Sequence, residues 1–310
     1  MPFSHHSHSG QFCGHAENTL EEVVQTAISK QMDLYALTEH MPREEEDLYP
    51  EEITSSHTAA TLAKQFDDYF REARRLQKAY APAIKLLIGM EVDWIRPTSL
   101  EVIQGLLSKY PCDLFIGSVH HVHNTPIDYD RKMYIEARER SGGTDEKLAE
   151  DYFDLQYEML KALEPPVVGH FDLIRLLSDD PEASFVQWTG VWQKILRNLD
   201  FIIDYGGLVE LNSAGLRKGM SEPYPKAEIC KKFFARGGAF TLSDDSHGIK
   251  QVGTNYGRCL SFAEKTGITS VHFLEKGAAT KDSRFPGIST NAVSLIELKK
   301  HPSFFYLEGF

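Results

Sequence analysis

The sequence predicts an α/β protein in which about seven βα units close into a TIM-like barrel. Short apolar runs alternate with longer amphipathic stretches about seven times, a pattern that favours a parallel sheet covered by helices. Residues capable of chemistry stand at the carboxyl end of nearly every run: His6, His40, Glu91, His120, His170, Asn212 and Asp245, first to seventh. An open sheet gathers its ligands at one switch point between a few strands. Only a closed barrel brings every strand end to a single mouth.

Taken in order, a short N-terminal run precedes His6-Ser7-His8. Thr19 to Lys30 is helical in period, with Val23, Val24, Ala27 and Ile28 on one face. Asp33 to Thr38 reads as a buried strand, and the acidic run Arg43 to Glu52 as a solvated loop. Thr58 to Tyr80 is a long helix that stops before Pro82. Strands are expected at Ile84 to Met90 and Leu114 to Val119, with a helix at Leu100 to Leu107 between them. Asn124 to Thr144, rich in Asp, Arg, Gly and Tyr, reads as a long loop and a candidate lid. Helices at Lys147 to Leu163, Phe185 to Ile203 and Ala227 to Ala235 alternate with strands at Val167 to Gly169, Gly207 to Leu211 and Ala239 to Leu242. Trp188 and Trp192 read as core packing, and Ser270 to Leu274 as a last short strand. No linker or repeat interrupts the chain, so residues 1–310 are expected to form one domain.

Bulk properties exclude some functions. A formal charge of −12 argues against nucleic-acid and anionic-membrane surfaces, which reward clustered Lys and Arg. No apolar run is long enough to span a bilayer, and no basic segment followed by an apolar core marks a secretory signal. Cys13, Cys112, Cys230 and Cys259 are widely spaced and read as buried or inert in a reduced, cytoplasmic chain.

The strand-end residues read as parts of one metal cluster. Imidazole and carboxylate suit zinc, iron or manganese alike, and His6, His8, His15, His40, Glu91, His120, His170, Asp245 and His247 are too many for one ion. In His6-x-His8 and Asp245-x-His247 the spacing of two points both side chains the same way. His57, His272 and His301 read as surface residues. His5, His121 and His123 flank ligands and would either pack or orient them. Arg175 and Arg217 follow the fifth and sixth strands, and a guanidinium fork beside several ions suits phosphate. Asn212 would orient a substrate or satisfy its own loop, and His121 is a further substrate-side candidate.

These residues carry a family likeness. His6-x-His8, Cys13-Gly14-His15-Ala16, Thr38-Glu39-His40, Gly89-Met90-Glu91, Gly117-Ser118-Val119-His120-His121, Gly169-His170-Phe171-Asp172 and Ser243-Asp244-Asp245-Ser246-His247 resemble the motifs of the PHP (polymerase and histidinol phosphatase) superfamily. The likeness is nearest to its monofunctional histidinol-phosphate phosphatases and runs from His6 to about Gly253. It implies a distorted (β/α)7 barrel of the PHP type with three divalent ions. His6, His8, Glu91 and Asp245 would hold the first, and His15, His40 and His247 the second. Glu91 would bridge to a third, completed by His120 and His170. Arg175 and Arg217 match positions that grip phosphate. Glu39 departs from the family's usual Asp. The implied activity is hydrolysis of L-histidinol phosphate in histidine biosynthesis, with Glu91, Asp245, His247, Arg175 and Arg217 as its machinery. Asp244, His121 or a water are the candidates for protonating the leaving group. The rival expectations are a phosphoesterase for another small phosphate or nucleotide, and a non-catalytic metal-binding protein.

Overall fold

A computed structural model describes residues 2–277 and 287–301. Seven parallel strands form one sheet in chain order. They are β1 (Phe3–Ser4), β2 (Leu34–Leu37), β3 (Lys85–Asp93), β4 (Leu114–Ser118), β5 (Val167–Val168), β6 (Leu208–Asn212) and β7 (Ala239–Ser243). The sheet curls until β7 returns to β1. There the His5 amide donates to the Leu242 carbonyl (3.1 Å) and Ser7 bridges Ser246 in parallel. The barrel is therefore nearly closed, and its fold class is the one the alternating pattern predicts.

β3 is the pivot. Its first half pairs with β2, Lys85 to Ile88 against Leu34 to Leu37. Its second half pairs with β4, Gly89 to Asp93 against Leu114 to Ser118. The strand thus runs three residues beyond the expected Met90, and Glu91 and Asp93 lie inside it. At Gly89 the neighbouring backbone comes so close that a Cβ would sit 2.3 Å from the Leu114 carbonyl oxygen.

Helices cover the sheet. α1 (Leu20–Ser29) starts at a reciprocal cap: Thr19 Oγ1 accepts from the Glu22 amide, and Glu22 accepts from the Thr19 amide. It buries Leu20, Val23, Val24 and Ala27. Two expected loops contain helices instead. Arg43 to Glu52 holds a 3-10 turn (Glu45–Asp47) and leads into α2 (Pro50–Thr54). Glu52 turns inward there to meet Arg43 Nη1 at 2.7 Å, so that part of the acidic run is folded against a cation rather than solvated. α3 (Ala59–Ala79) and α4 (Ser99–Lys109) follow as expected.

Asn124 to Thr144 opens with a small hairpin, His121–Val122 against Thr125–Pro126, and continues as α5 (Arg131–Arg140). Asp130 caps α5 by accepting from the Met133 amide, and Arg138 ties it to Asp145 and Asp179. α6 (Asp145–Leu163) comes next. The expected helix at Phe185 to Ile203 divides into a 3-10 turn (Phe185–Gln187) and α7 (Thr189–Tyr205). α8 (Ala214–Arg217) follows β6, α9 (Ala227–Ala235) precedes β7, and α10 (Tyr256–Lys265), unforeseen in the sequence, follows it. A terminal antiparallel hairpin, β8 (Ser270–Lys276) with β9 (Ile288–Ser294), leads into α11 (Leu295–Lys299). His5 joins this hairpin to the barrel: its Nδ1 meets Thr241 Oγ1 and its Nε2 accepts from the Leu274 amide. Buried in that position, its imidazole is pushed down to about 4.

Candidate metal centre

The carboxyl ends of the strands converge on Glu91. Its Oε2 lies 3.2 Å from His6 Nε2, 3.4 Å from His8 Nε2 and 2.9 Å from His40 Nδ1. Its Oε1 lies 3.3 Å from His120 Nε2 and 3.0 Å from His170 Nε2, and those two nitrogens are 3.1 Å apart. Asp245 Oδ1 stands 3.8 Å from His6 Nε2 and 3.5 Å from His8 Nε2. Atoms that share an ion at about 2.0–2.2 Å stand roughly 3 Å apart, so these spacings suit ligands gathered around cations.

At this centre, four groups among the described residues have donor atoms close enough to hold an ion in common: His6, His8 and Glu91; His8, Asp245 and His247; Glu91, His120 and His170; and Cys13, His15, His40 and His247. All nine of the expected metal-ligating residues are in this assembly. Cys13 is an addition, its Sγ 3.3 Å from His15 Nε2. The thiol was set aside in the sequence because no second cysteine pairs with it in spacing. Burial and the nearby Glu39 push it up from its ordinary range.

The residues fit a metal on two further grounds. His6 Nε2, His8 Nε2 and His40 Nε2 are buried without a hydrogen-bond partner, a costly state for polar atoms unless something binds them. The charges are also unbalanced. Burial alone would lower the imidazoles, yet Glu91, Asp245 and Glu210 hold His6 well above its usual range, and His8 is pushed up to about 10 by Asp245, Glu39 and Glu91. Burial would raise the carboxyls, but His6, His120 and His40 hold Glu91 well below the usual range, and His6 and His8 do the same to Asp245. His15 goes the other way, to about 4, through burial and the neighbouring His8. The centre is built to be filled by positive charge.

Behind the rings stand three carboxylates outside the expected ligand set: Glu210, Asp93, and Glu39, marked in the sequence only as a departure from the family. Glu210 Oε2 meets His6 Nδ1 at 3.1 Å, and Glu210 Oε1 accepts from the His170 amide. Asp93 Oδ1 faces His120 Nδ1 at 3.4 Å and accepts from its amide. Glu39 Oε2 faces His8 Nδ1 at 3.7 Å, while Oε1 accepts from the amide and hydroxyl of Ser9. Such partners fix ring orientation and raise ligand basicity. A signal for two of them existed, a carboxylate inside an apolar run, as in Val209-Glu210-Leu211.

A cleft of about 370 Å³ opens over this floor. It is bordered by Arg217 and Lys218 and by Tyr49, Glu51, Asp128 and Tyr129. Arg217 donates from Nη1 and Nη2 to the carbonyls of Asp244 and Asp245. It thereby steadies Asp245, whose backbone is left-handed at φ +46°. Asn212 acts on the same turn: its Nδ2 donates to Asp245 Oδ2 and Glu210 Oε1, and its Oδ1 accepts from the Ala214 amide. Its expected substrate contact gives way to positioning, since its amide is already engaged on both sides.

Four other expectations are corrected by geometry. Arg175 does not border the cleft. It is 3 % exposed, with Nε on Asp172, Nη1 on the Pro181 carbonyl and Nη2 on the carbonyls of Glu222 and Pro223. His121 is buried against Asp93 Oδ2 (2.9 Å) and stacked on Tyr49, away from the cleft lining. Asp244 is fully buried and accepts from Ser4, Tyr35, the Ser246 amide and the Gly253 amide, so it is not placed to protonate a leaving group. His123 pairs with Asp151 at the surface. His57 borders a second cavity of about 210 Å³, shared with Cys13, His15 and His40, instead of lying free on the surface.

Comparison with known proteins bears on the family and the fold. Residues 4–214, more than half of the chain, match the PHP domain family. The probable histidinol-phosphatase of Schizosaccharomyces pombe is 45 % identical over 279 residues, 89 % of this chain and 90 % of that protein. The histidinol-phosphatase of Saccharomyces cerevisiae is 35 % identical, covering 82 % of this chain and 85 % of that protein. In fold, the chain superposes on the histidinol phosphate phosphatase of Lactococcus lactis, solved with zinc, L-histidinol and phosphate, with a TM-score of 0.68. That match has 19 % identity and covers 87 % of this chain and 95 % of that one, so it bears on the fold alone. By sequence and by architecture, the chain belongs to the PHP domain family, among its histidinol phosphatases.

Proposed function

We propose that this protein is a metal-dependent phosphomonoesterase that hydrolyses L-histidinol phosphate to L-histidinol and phosphate, a step of histidine biosynthesis. One observation carries the metal-dependent part: ring nitrogens of His6, His8, His40, His120 and His170, from strand ends far apart in sequence, meet around the single carboxylate of Glu91. The substrate comes from the family.

Three divalent ions are assigned, of zinc, iron or manganese. His6, His8, Glu91 and Asp245 would hold one, His15, His40 and His247 a second, and Glu91, His120 and His170 a third. When bound, such ions acidify water to near-neutral pKa and offset charge on phosphoryl oxygens. The chain's own residues do the rest. Glu210, Asp93 and Glu39 keep His6, His120 and His8 turned toward the floor. Asn212 and Arg217 hold the Asp245 turn. Arg217 and Lys218 draw the phosphate into the cleft and face its developing charge. Overall, water replaces the alkoxide at phosphorus, and the alkoxide leaves with a proton. Among the described residues no helix is long and apolar enough to cross a membrane, and all four cysteines are free. A reducing, cytoplasmic setting is part of this reading.

The test is phosphate release from L-histidinol phosphate by the purified protein as isolated, after chelation, and after return of zinc, iron or manganese. Activity is expected to vanish on chelation and to return with metal. Release that persists in thoroughly chelated protein would refute metal dependence. No release from this substrate, alongside release from other phosphomonoesters, would refute the substrate.

A further inference from the structure

We propose that Asp128 and Glu51 bind the cationic end of the substrate, with the Tyr129 ring covering a flat heterocycle beside them. This rests on the phosphatase reading above and adds what recognises the alcohol half of the molecule. The ligand class is a phosphomonoester of an aromatic amino alcohol: anionic at one end, cationic and flat at the other.

The argument begins with topology. In a ring of seven strands in chain order, the loops after β2, β3 and β4 lie across the mouth from those after β6 and β7. Arg217 and Lys218 follow β6. Tyr49 and Glu51 belong to the excursion after β2, and Asp128 and Tyr129 to the excursion after β4. All six border the same cleft. The mouth is therefore basic on one side and acidic and aromatic on the other, with the ligand cluster between them. Such polarity selects and orients a substrate whose two ends carry opposite charges.

The acidic side is also incomplete as it stands. Asp128 Oδ1 and Glu51 Oε2 are buried atoms without a hydrogen-bond partner. Carboxylate oxygens withdrawn from water and given no donor are unfavourable, and an ammonium supplies three donors and the opposite charge. Next to them Tyr129 stacks on Tyr49, with centroids 5.5 Å apart and planes 12° from parallel, yet remains 40 % exposed. An open ring beside carboxylates suits a heterocycle, or a cation over its face. Arg43 borders the cleft on this side too, with its Nε unpartnered, but its charge is met by Glu52 at Nη1 and its guanidinium lies over Tyr49 (4.2 Å), which leaves Asp128 and Glu51 as the net charge of this wall. Glu51 has two competing duties, since its Oε1 is 3.8 Å from His15 Nδ1 and its carboxylate also meets the Tyr129 hydroxyl. Asp128 has no such contact with a ligand and is the cleaner residue to test.

The experiment uses metal-loaded wild type, Asp128→Asn, Asp128→Glu and Glu51→Gln. It measures inhibition by L-histidinol and by inorganic phosphate separately, the ratio of kcat/KM for L-histidinol phosphate to that for p-nitrophenyl phosphate, and metal content. In Asp128→Asn the Ki of L-histidinol should rise about ten-fold or more, as for loss of a charge-assisted contact. The Ki of phosphate should move less than about two-fold, the ratio should fall about ten-fold, and Asp128→Glu should restore part of it. Equal movement of both Ki values, or neither, would overturn the assignment of Asp128. Glu51→Gln that loses metal while keeping the ratio would make Glu51 a support for His15 and remove it from the proposal. A wild type indifferent between the two substrates would refute the histidinol reading and this one with it. A wild-type preference that survives Asp128→Asn would refute this one alone.

Discussion

Arg175 and Arg217 look equivalent in sequence, each a few residues beyond a strand end and each in a string shared with the family. The fold separates them. Arg175 ends a 3-10 turn (Leu173–Arg175) that aims it back at Asp172, and three carbonyls take up the rest of its fork. Removing it leaves Asp172 buried without its cation. Arg175→Ala should therefore lower folding stability by about 3–5 kcal/mol, the usual result of breaking a buried pair, seen as an earlier urea midpoint. Arg217 borders the cleft, so Arg217→Ala should cost about ten-fold or more in kcat/KM, the equivalent of a contact worth roughly 1.5–3 kcal/mol, with a smaller fall in midpoint than Arg175→Ala gives, since only its two bonds to the Asp245 turn are lost. The reverse pattern would assign the two roles the other way round. No sequence reading could have separated them. Both forks meet carbonyls of other segments; what distinguishes them is that Arg175 is buried on Asp172 while Arg217 borders the cleft, and that difference is set by tertiary packing.

Among the elements, β3 matters most to the site, because it carries Glu91 and Asp93 and joins both halves of the early sheet. Its contact with β4 is close at Gly89, where any Cβ would strike the Leu114 carbonyl. Gly89→Ala should force the strands apart, at about 1–3 kcal/mol for an overpacked interior, and displace Glu91 two residues on. The expected readout is weaker metal retention together with a lower unfolding midpoint. A variant with wild-type metal content and stability would show that the strands yield without moving Glu91. The barrel strands were legible because each is an apolar run followed by a polar ligand. The excursions were not. α2 is only five residues long and presents Glu52 inward, and α5 buries just Tyr134 and Ala137, so neither shows an apolar stripe. Glu210 and Asp93 escaped notice for a related reason. Chemistry was expected beside each strand end, whereas Glu210 supports its histidines from the middle of β6 and Asp93 ends a β3 that runs three residues beyond the expected Met90.

At the scale of the whole molecule, the centre ties the two ends of the chain together. His6 and His8 leave β1, while Asp245 and His247 leave β7, the pair of strands joined by few direct bonds. Glu91, Asp245, Glu210 and Asp93 are all buried within this region, in a chain of net charge −12. Cations bound there would offset that charge and lock β1 to β7, and the unfolded chain has no such site. Binding restricted to the folded state stabilises it by RT ln(1 + [L]/Kd), about 2.7 kcal/mol at a hundred times Kd. The thermal midpoint of chelated protein should consequently rise by several degrees as metal is added and keep climbing with the logarithm of its concentration. Glu91→Gln, which removes the bridging charge, should flatten that dependence even if the variant folds. A midpoint indifferent to metal in the wild type would mean that the seam closes without cations. The partnerless nitrogens at the mouth would then need another occupant.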